Sequence, residues 1–440
     1  MLRIFKWLGL LLVAVVVIAL TLPWVPAWKD ELGSGPYKAW TKANVVTLDL
    51  GAEDGGFLFD EAFYAKRLIL MGEIHGMADP HALDLALIKH LHATTGLRWL
   101  MAELDFAQST LVNFYLLTGD ETYIEPIFEA WAAEDAQWAS REYFEKLRGL
   151  REFNASVPDG EGVLVFGVDR VQDRAVALDV LKEYAEAQEQ AASAVATDGV
   201  IPDWPGTLAP AYAPDAEKSA RIGALSAALA AVEDLPTAAR DKGFVHLLRN
   251  LIALDEGATR YEAILANIAA MSAVFEIGDD EPLYGFWGFF HAIRAPVNEG
   301  ARPLALRLNE EGPFAGAVGT IGFIYTGAES MMPSKMLPGP MAGEGKYTVI
   351  PFSQDFPYLY YQRGIYDLKA AAGDARASLI RLSGEGSPYA NSARLSSATG
   401  LMTAMGEIDI APSDPPAFDY VILSQGSPAL TAYIGETEKN

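Results

Sequence analysis

Two glutamates and two histidines, Glu73, His75, Glu103 and His291, each close or directly follow a short apolar run, and together these residue types can do carbonyl chemistry. The runs are RLILMG ahead of Glu73 and His75, RWLMAE ending on Glu103, and PLYGFWGFFH ending on His291; GVLVFGVD ends likewise on Asp169. A neutral imidazole whose tautomer is set by a carboxylate can take a proton from water as a general base. Two imidazoles with carboxylates can instead hold a divalent metal, and residue types alone leave both open. The chain has no cysteine, no G-x-S-x-G elbow, no H-E-x-x-H helix and no Walker loop. A thiol or serine nucleophile and a thiolate metal site are therefore not indicated. For either histidine alone, capping a strand or satisfying a buried hydrogen bond is the weaker explanation, and for the pair with two glutamates it is weaker still.

The other histidines read as structural. His90 and His92 stand two residues apart on an expected helix, so they point to different faces, and both are expected at the surface or its boundary. His246, in FVHLLRN, is expected to be a helix histidine with ordinary contacts, and His81 to sit at a helix N-terminus.

Positioning these side chains requires strands that end together. After RLILMG, Asp79-Pro80 supplies a helix cap and first position for HALDLALIKHLHATTG, and RWLMAE is followed by a second helix around Ser109 to Leu117. Strand and helix alternating on this spacing imply parallel strands with crossover helices. Ligands in such sheets bind outside the carboxyl ends, where Glu73, His75 and Glu103 are expected to converge. Between the third and fourth runs, about 175–280, the chain is rich in Ala, Leu and Glu with helical periodicity and reads as a helical insertion. The segment from Ala315 to Phe323 and the late FDYVILSQ read as further strands. The expected fold is α/β, a central, mostly parallel sheet flanked by helices with a helical insertion, spanning 61–435, plus one N-terminal transmembrane helix.

That helix is read from Arg3 and Lys6 preceding an apolar run from Trp7 to Leu22, then Trp24 and Trp28. A basic flank stays cytoplasmic and tryptophans suit the far interface. Residues 1–30 are thus expected to be an uncleaved, single-pass anchor in a bacterial inner membrane, with the globular part periplasmic; a cleaved signal peptide is the rival. Residues 31–60, with ELGSGPYKAW, read as a tether. With 440 residues, 51% of them hydrophobic, the rest can bury a large core, and a net charge of -25 argues against nucleic acid or anionic lipid as a partner.

Several pieces together resemble the erythromycin esterase family: GEIHG, the glutamate of LMAEL 28 residues after its histidine, FGVD at 166–169, RYEAILANI at 260–268, the strand ending at His291, and FDYVILSQGSPALT. The resemblance spans about 60 to 435. It implies metal-independent hydrolysis of an ester or related carbonyl bond in a small-molecule substrate, with no cofactor. His75 would be the general base, Glu73 and Glu103 would orient it or the water, and His291 would polarise the carbonyl or bind the oxyanion. Asp169, Arg260, Asn267 and Arg294 would form the substrate-binding group. The chain departs from the family pattern in having one residue between Glu73 and His75, where the esterases usually have two, and one histidine in HAIRAP, where they usually have a pair. GEIHGMADPHAL also resembles haem-uptake lipoproteins and, more distantly, Tiki-type metalloproteases; that alternative implies haem or a divalent metal on His75 or His81. The alternative is a binding protein, and it is kept beside the hydrolase reading.

Overall fold

The computed structural model describes residues 13–195, 202–401 and 408–433. In chain order its strands are β1 (Val45–Leu48), β2 (Leu68–Glu73), β3 (Trp99–Asp105), β4 (Leu164–Asp169), β5 (Leu283–Gly288), β6 (Val318–Thr326), β7 (Ala328–Pro333), β8 (Tyr347–Phe352), β9 (Asp355–Phe356), β10 (Tyr360–Gln362), β11 (Ala377–Arg381), β12 (Ala398–Thr399) and β13 (Tyr420–Gln425). Eight of them belong to a large, mostly parallel central sheet flanked by helices, which is the α/β class expected from the sequence. The chain divides into two units, Met1–His90 with Trp287–Thr431, and Leu91–Phe286 with Ala432–Asn440.

In the first unit the strand order is β1-β11-β13-β6-β2. Both β13 and β2 run parallel to β6, while β1 and β11 are antiparallel additions at the edge. Every residue of β2 and β6 is buried, as expected for parallel strands covered on both faces, whose sequences read as continuous apolar runs. In the second unit β5, β3 and β4 pair in parallel in that order. The helical insertion expected at about 175–280 is present there as helices Arg174–Val195, Trp204–Tyr212, Lys218–Glu233, Lys242–Glu256 and Arg260–Phe275. Their starts follow cap chemistry: Asp203 and Asp241 accept from the first turn, and Thr259 with Glu262 forms a capping box.

The N-terminal helix, Val13–Leu32, is long and apolar enough to cross a membrane; Arg3, Lys6 and the start of the apolar run lie outside the described residues. The tether expected over 31–60 is not one. Its Gly-Pro pair opens a helix, Gly35–Ala43, because proline is favoured in a first turn, and Val45–Leu48 then joins the sheet beside β11. Trp40 Nε1 donates to the Arg381 carbonyl at 2.8 Å and Thr41 Oγ1 to the Asp367 carbonyl at 3.1 Å, so the segment is packed. A four-residue edge strand carries too little pattern to be read without its partner.

One glycine in β2 is required by its neighbour. A Cβ on Gly72 would lie 2.7 Å from Ala292 Cβ and 3.0 Å from Phe289 Cα. The turn Phe289–Ala292, which carries His291, therefore rests on the residue just before Glu73. Gly72→Ala is expected to cost about 1–3 kcal/mol as overpacking, measured by denaturant unfolding; an unchanged midpoint would show that this contact is not tight.

Candidate functional site

In the first unit, Glu73 ends β2 and His75 follows after one residue. His75 Nδ1 donates a short hydrogen bond to Glu73 Oε1. The Glu73 side chain is 6% exposed and that of His75 36%, so the carboxylate is buried while the ring remains reachable. With Nδ1 committed to Glu73, the neutral ring carries its lone pair on Nε2. Glu73 Oε2 is buried and has no hydrogen-bond partner among the described residues. The loop after β2 is held by Met331 and Leu430, whose N–H groups both donate to the Gly76 carbonyl at 2.9 Å, and by Ser330 Oγ, which donates to the His75 carbonyl at 3.3 Å. Gly76 has φ +104°, a backbone conformation that glycine adopts without strain.

His291 lies in the same unit, buried, with the rings of Trp287 and Phe290 at centroid distances of 5.4 and 5.9 Å. Tyr325, near the carboxyl end of β6, was not anticipated. It is fully buried beside Glu73 and the Ile74 backbone, and burial, followed by the Glu73 charge, pushes its phenol well above the ordinary value. The expected strand stopped at Phe323, two residues short of it, and only the parallel pairing of β6 with β2 brings the two strand ends together.

In the second unit, Arg260 joins two carboxylates. Its Nε donates to Asp169 Oδ1 at 2.9 Å, and its Nη2 donates to Asp169 Oδ2 and to Glu103 Oε1, each at 2.5 Å. Burial opposes the Arg260 charge, yet hydrogen bonds and charges from Asp169 and Glu103 hold the guanidinium above its ordinary value. Asn267, two turns along the same helix, donates to the Val168 and Asp169 carbonyls at 3.0 and 3.2 Å and to Asn250 Oδ1 at 2.9 Å. Asn250 pairs in turn with His246, whose pKa burial pushes down to about 4, keeping that ring neutral. His246 is thus the helix histidine the sequence suggested, buried under this network. The β3–β4 register shifts between Ala102 and Asp105, an irregularity that re-aims side chains where it occurs. The chains approach so closely that a Cβ on Gly167 would sit 2.1 Å from the Asp105 carbonyl oxygen.

Two expectations are corrected. Arg294 was assigned to substrate. It instead forms a fork with Asp419, at 2.8 and 2.7 Å, and donates to the Val318 carbonyl at 2.6 Å. Val318 begins β6, and β6 and β2 are parallel, so Arg294 stands at the amino ends of the strands, opposite to Glu73. His90, expected at the surface or boundary, is buried and hydrogen-bonded to Tyr64 Oη at 2.8 Å, because an aromatic cluster of Phe57, Phe59 and Tyr64 covers that face of its helix. His81, at the helix N-terminus as expected, is buried too. Among the described residues, no group of three or more His, Asp or Glu side chains is arranged to hold a metal ion.

No family model and no curated protein matches this sequence. Solved structures do match in fold. A Bacillus cereus protein superposes with a TM-score of 0.63 at 14% identity, over 91% of this chain and 99% of its own. A succinoglycan biosynthesis protein gives 0.59 at 12%, over 90% and 98%. The erythromycin esterase EreC, as a histidine-to-asparagine mutant in its open conformation, gives 0.52 at 13%, over 87% and 97%. At these identities the likeness is one of fold: the chain has the α/β architecture shared by these three proteins.

Two outcomes follow from the charges. Arg294→Met leaves Asp419 buried without its cation and is expected to cost about 3–5 kcal/mol in denaturant unfolding; lost activity with unchanged stability would return Arg294 to the substrate site. Asp105 is fully buried, and burial, partly offset by N–H donors from Gln108 and Gln172 and reinforced by the Asp169 charge, raises its pKa to about 6. A carboxyl held above its unfolded value contributes stability that is complete below about pH 4 and lost as pH rises through about 6. The unfolding free energy of the wild type relative to Asp105→Asn is expected to fall by on the order of 2–3 kcal/mol between pH 4 and pH 7. A pH-independent difference would contradict it.

Proposed function

We propose that this chain is a membrane-anchored hydrolase of an ester or related carbonyl bond in a small molecule, with His75 as general base. The observation that carries the reading is the dyad at the end of β2: a buried carboxylate bonded to Nδ1 of a reachable imidazole. Nε2 takes a proton from water, the water oxygen bonds to the carbonyl carbon, and the carbonyl electron pair moves to its oxygen. On collapse the C–O bond to the leaving group breaks, and the proton on Nε2 passes to the departing alkoxide. Glu73 orients the ring and balances the imidazolium charge. In this reading His291 faces the developing oxyanion. The fold shared with the erythromycin esterase supports a hydrolase, and its activity is that protein's own.

The N-terminal helix supports a single-pass anchor, and we place the globular part in the periplasm of a bacterium on the strength of the Arg3 and Lys6 flank. The haem- or metal-binding alternative has less behind it at His81, which is buried.

Turnover of a chromogenic ester by the full chain is expected to fall about 10²–10⁴-fold in His75→Ala and to persist in chelator. Undiminished turnover in that variant would remove His75 from the mechanism, and loss of turnover in chelator would turn the reading towards a metal enzyme.

A further inference from the structure

The N-terminal helix is fastened to the first unit at two levels by one small sheet. Strands β9, β10 and β12 pair antiparallel with β10 in the centre. The strand β10 runs into Arg363 and Gly364, which with Tyr361 grip the buried Asp30: Arg363 Nη2 donates to Oδ1 at 2.7 Å, and Tyr361 Oη and the Gly364 N–H donate to Oδ2 at 3.1 Å. The second level lies nearer the N-terminus. Tyr358, in the turn between β9 and β10, donates its Oη to the Leu20 carbonyl at 2.6 Å, and its ring meets Trp24 edge-on at 6.3 Å. Pro23 and Pro26 interrupt the helical ladder here, and a 3-10 turn, Leu22–Trp24, replaces it.

Leu20 belongs to the apolar run that ends at Leu22. At a rise of about 1.5 Å per residue, it lies roughly 3 Å inside the end of that run. A group bonded to its carbonyl must share its depth. Around Tyr358 the turn shows apolar side chains to the outside: Phe356 is 43% exposed, Leu359 45% and Leu401 66%. Leu401 is tied to the same turn, its N–H donating to the Tyr358 carbonyl at 3.1 Å. The approach depends on Gly400, at φ +128°, where a Cβ would stand 2.5 Å from the Leu359 carbonyl oxygen.

We infer that this turn, with Phe356, Tyr358, Leu359 and Leu401, is a second membrane contact that sits at the headgroup–acyl boundary of the bilayer the N-terminal helix enters. The inference rests on the anchor reading given above. Its partner is a lipid surface recognised by apolar and aromatic groups, since tyrosine and tryptophan favour that boundary. The net charge of -25 gives no attraction to anionic headgroups. Held at Leu20 and again at Asp30, the helix and the small sheet enter the interface as one body, which sets the height of the first unit above the membrane.

The full chain has no cysteine, so single labels are clean. Leu359→Cys, Leu401→Cys and Val17→Cys carry a nitroxide in phosphatidylcholine nanodiscs, and collisions with oxygen and with a water-soluble nickel complex are compared with those of a free aqueous nitroxide. Oxygen-favoured relaxation at all three positions is the expected result. Lipid values at Val17 with aqueous values at Leu359 and Leu401 would overturn the second contact and leave the anchor standing. Shielding of both positions from both reagents would mean that a protein surface, another copy included, covers the turn, and would also overturn it. Aqueous values at Val17 would remove the anchor and the inference together.

Discussion

A carboxylate buried at the end of a parallel strand must find a hydrogen-bond donor, and Glu73 finds it in the imidazole two residues on. Much of the first unit is arranged around that need. In the loop from Glu73 to Ala78, Gly76 adopts a positive φ and its carbonyl accepts from two separate segments, at Met331 and Leu430. Gly72 lets the His291 turn lie on the strand just before the carboxylate. Tyr325 adds a fully buried phenol beside it. The ring is thereby aimed by packed backbone.

The second unit solves a related problem with charge. Glu103 and Asp169 stand on neighbouring strands, and two carboxylates this close repel unless a cation lies between them. Arg260 is that cation, supplied by the first residue of a helix that begins about ninety residues after Asp169. The helical insertion is therefore more than a cover for the sheet, because its last helix delivers Arg260 and holds the end of β4 through Asn267. The same neighbourhood keeps Asp105 short of water and under the Asp169 charge, which is why its pKa is raised above the ordinary carboxylate value.

Much of this was legible in residue order. The apolar runs ending in Glu73 and Asp169 are strands that end on those acids, the run to Glu103 is a strand that ends two residues further on, and Asp79-Pro80 does open a helix. Where the reading missed, it lacked a partner. Arg294 follows a site histidine closely in sequence, but a 3-10 turn reverses the chain after Gly288 and its fork binds Asp419 at the other end of the strands. Residues 31–60 have the composition of a linker and become structure through Arg381 and Asp367, more than three hundred residues away. His90 is polar by type and buried by an aromatic cluster. Tyr325 carried no local signal at all.

The sequence by itself determined the strands, the helices between them, the apolar N-terminal run and the pairing of Glu73 with His75, since each depends on residues within one or two turns of chain. Hydrophobic period, cap chemistry and a two-residue spacing are local quantities, and they survive without knowledge of the fold. Only the tertiary structure decided which strand ends lie side by side, which acid Arg260 and Arg294 would each take, and that a presumed tether would grip the sheet. Those choices depend on strand order and on contacts spanning about 90 to 340 residues, and a chain read in one dimension holds no measure of which distant segments will meet.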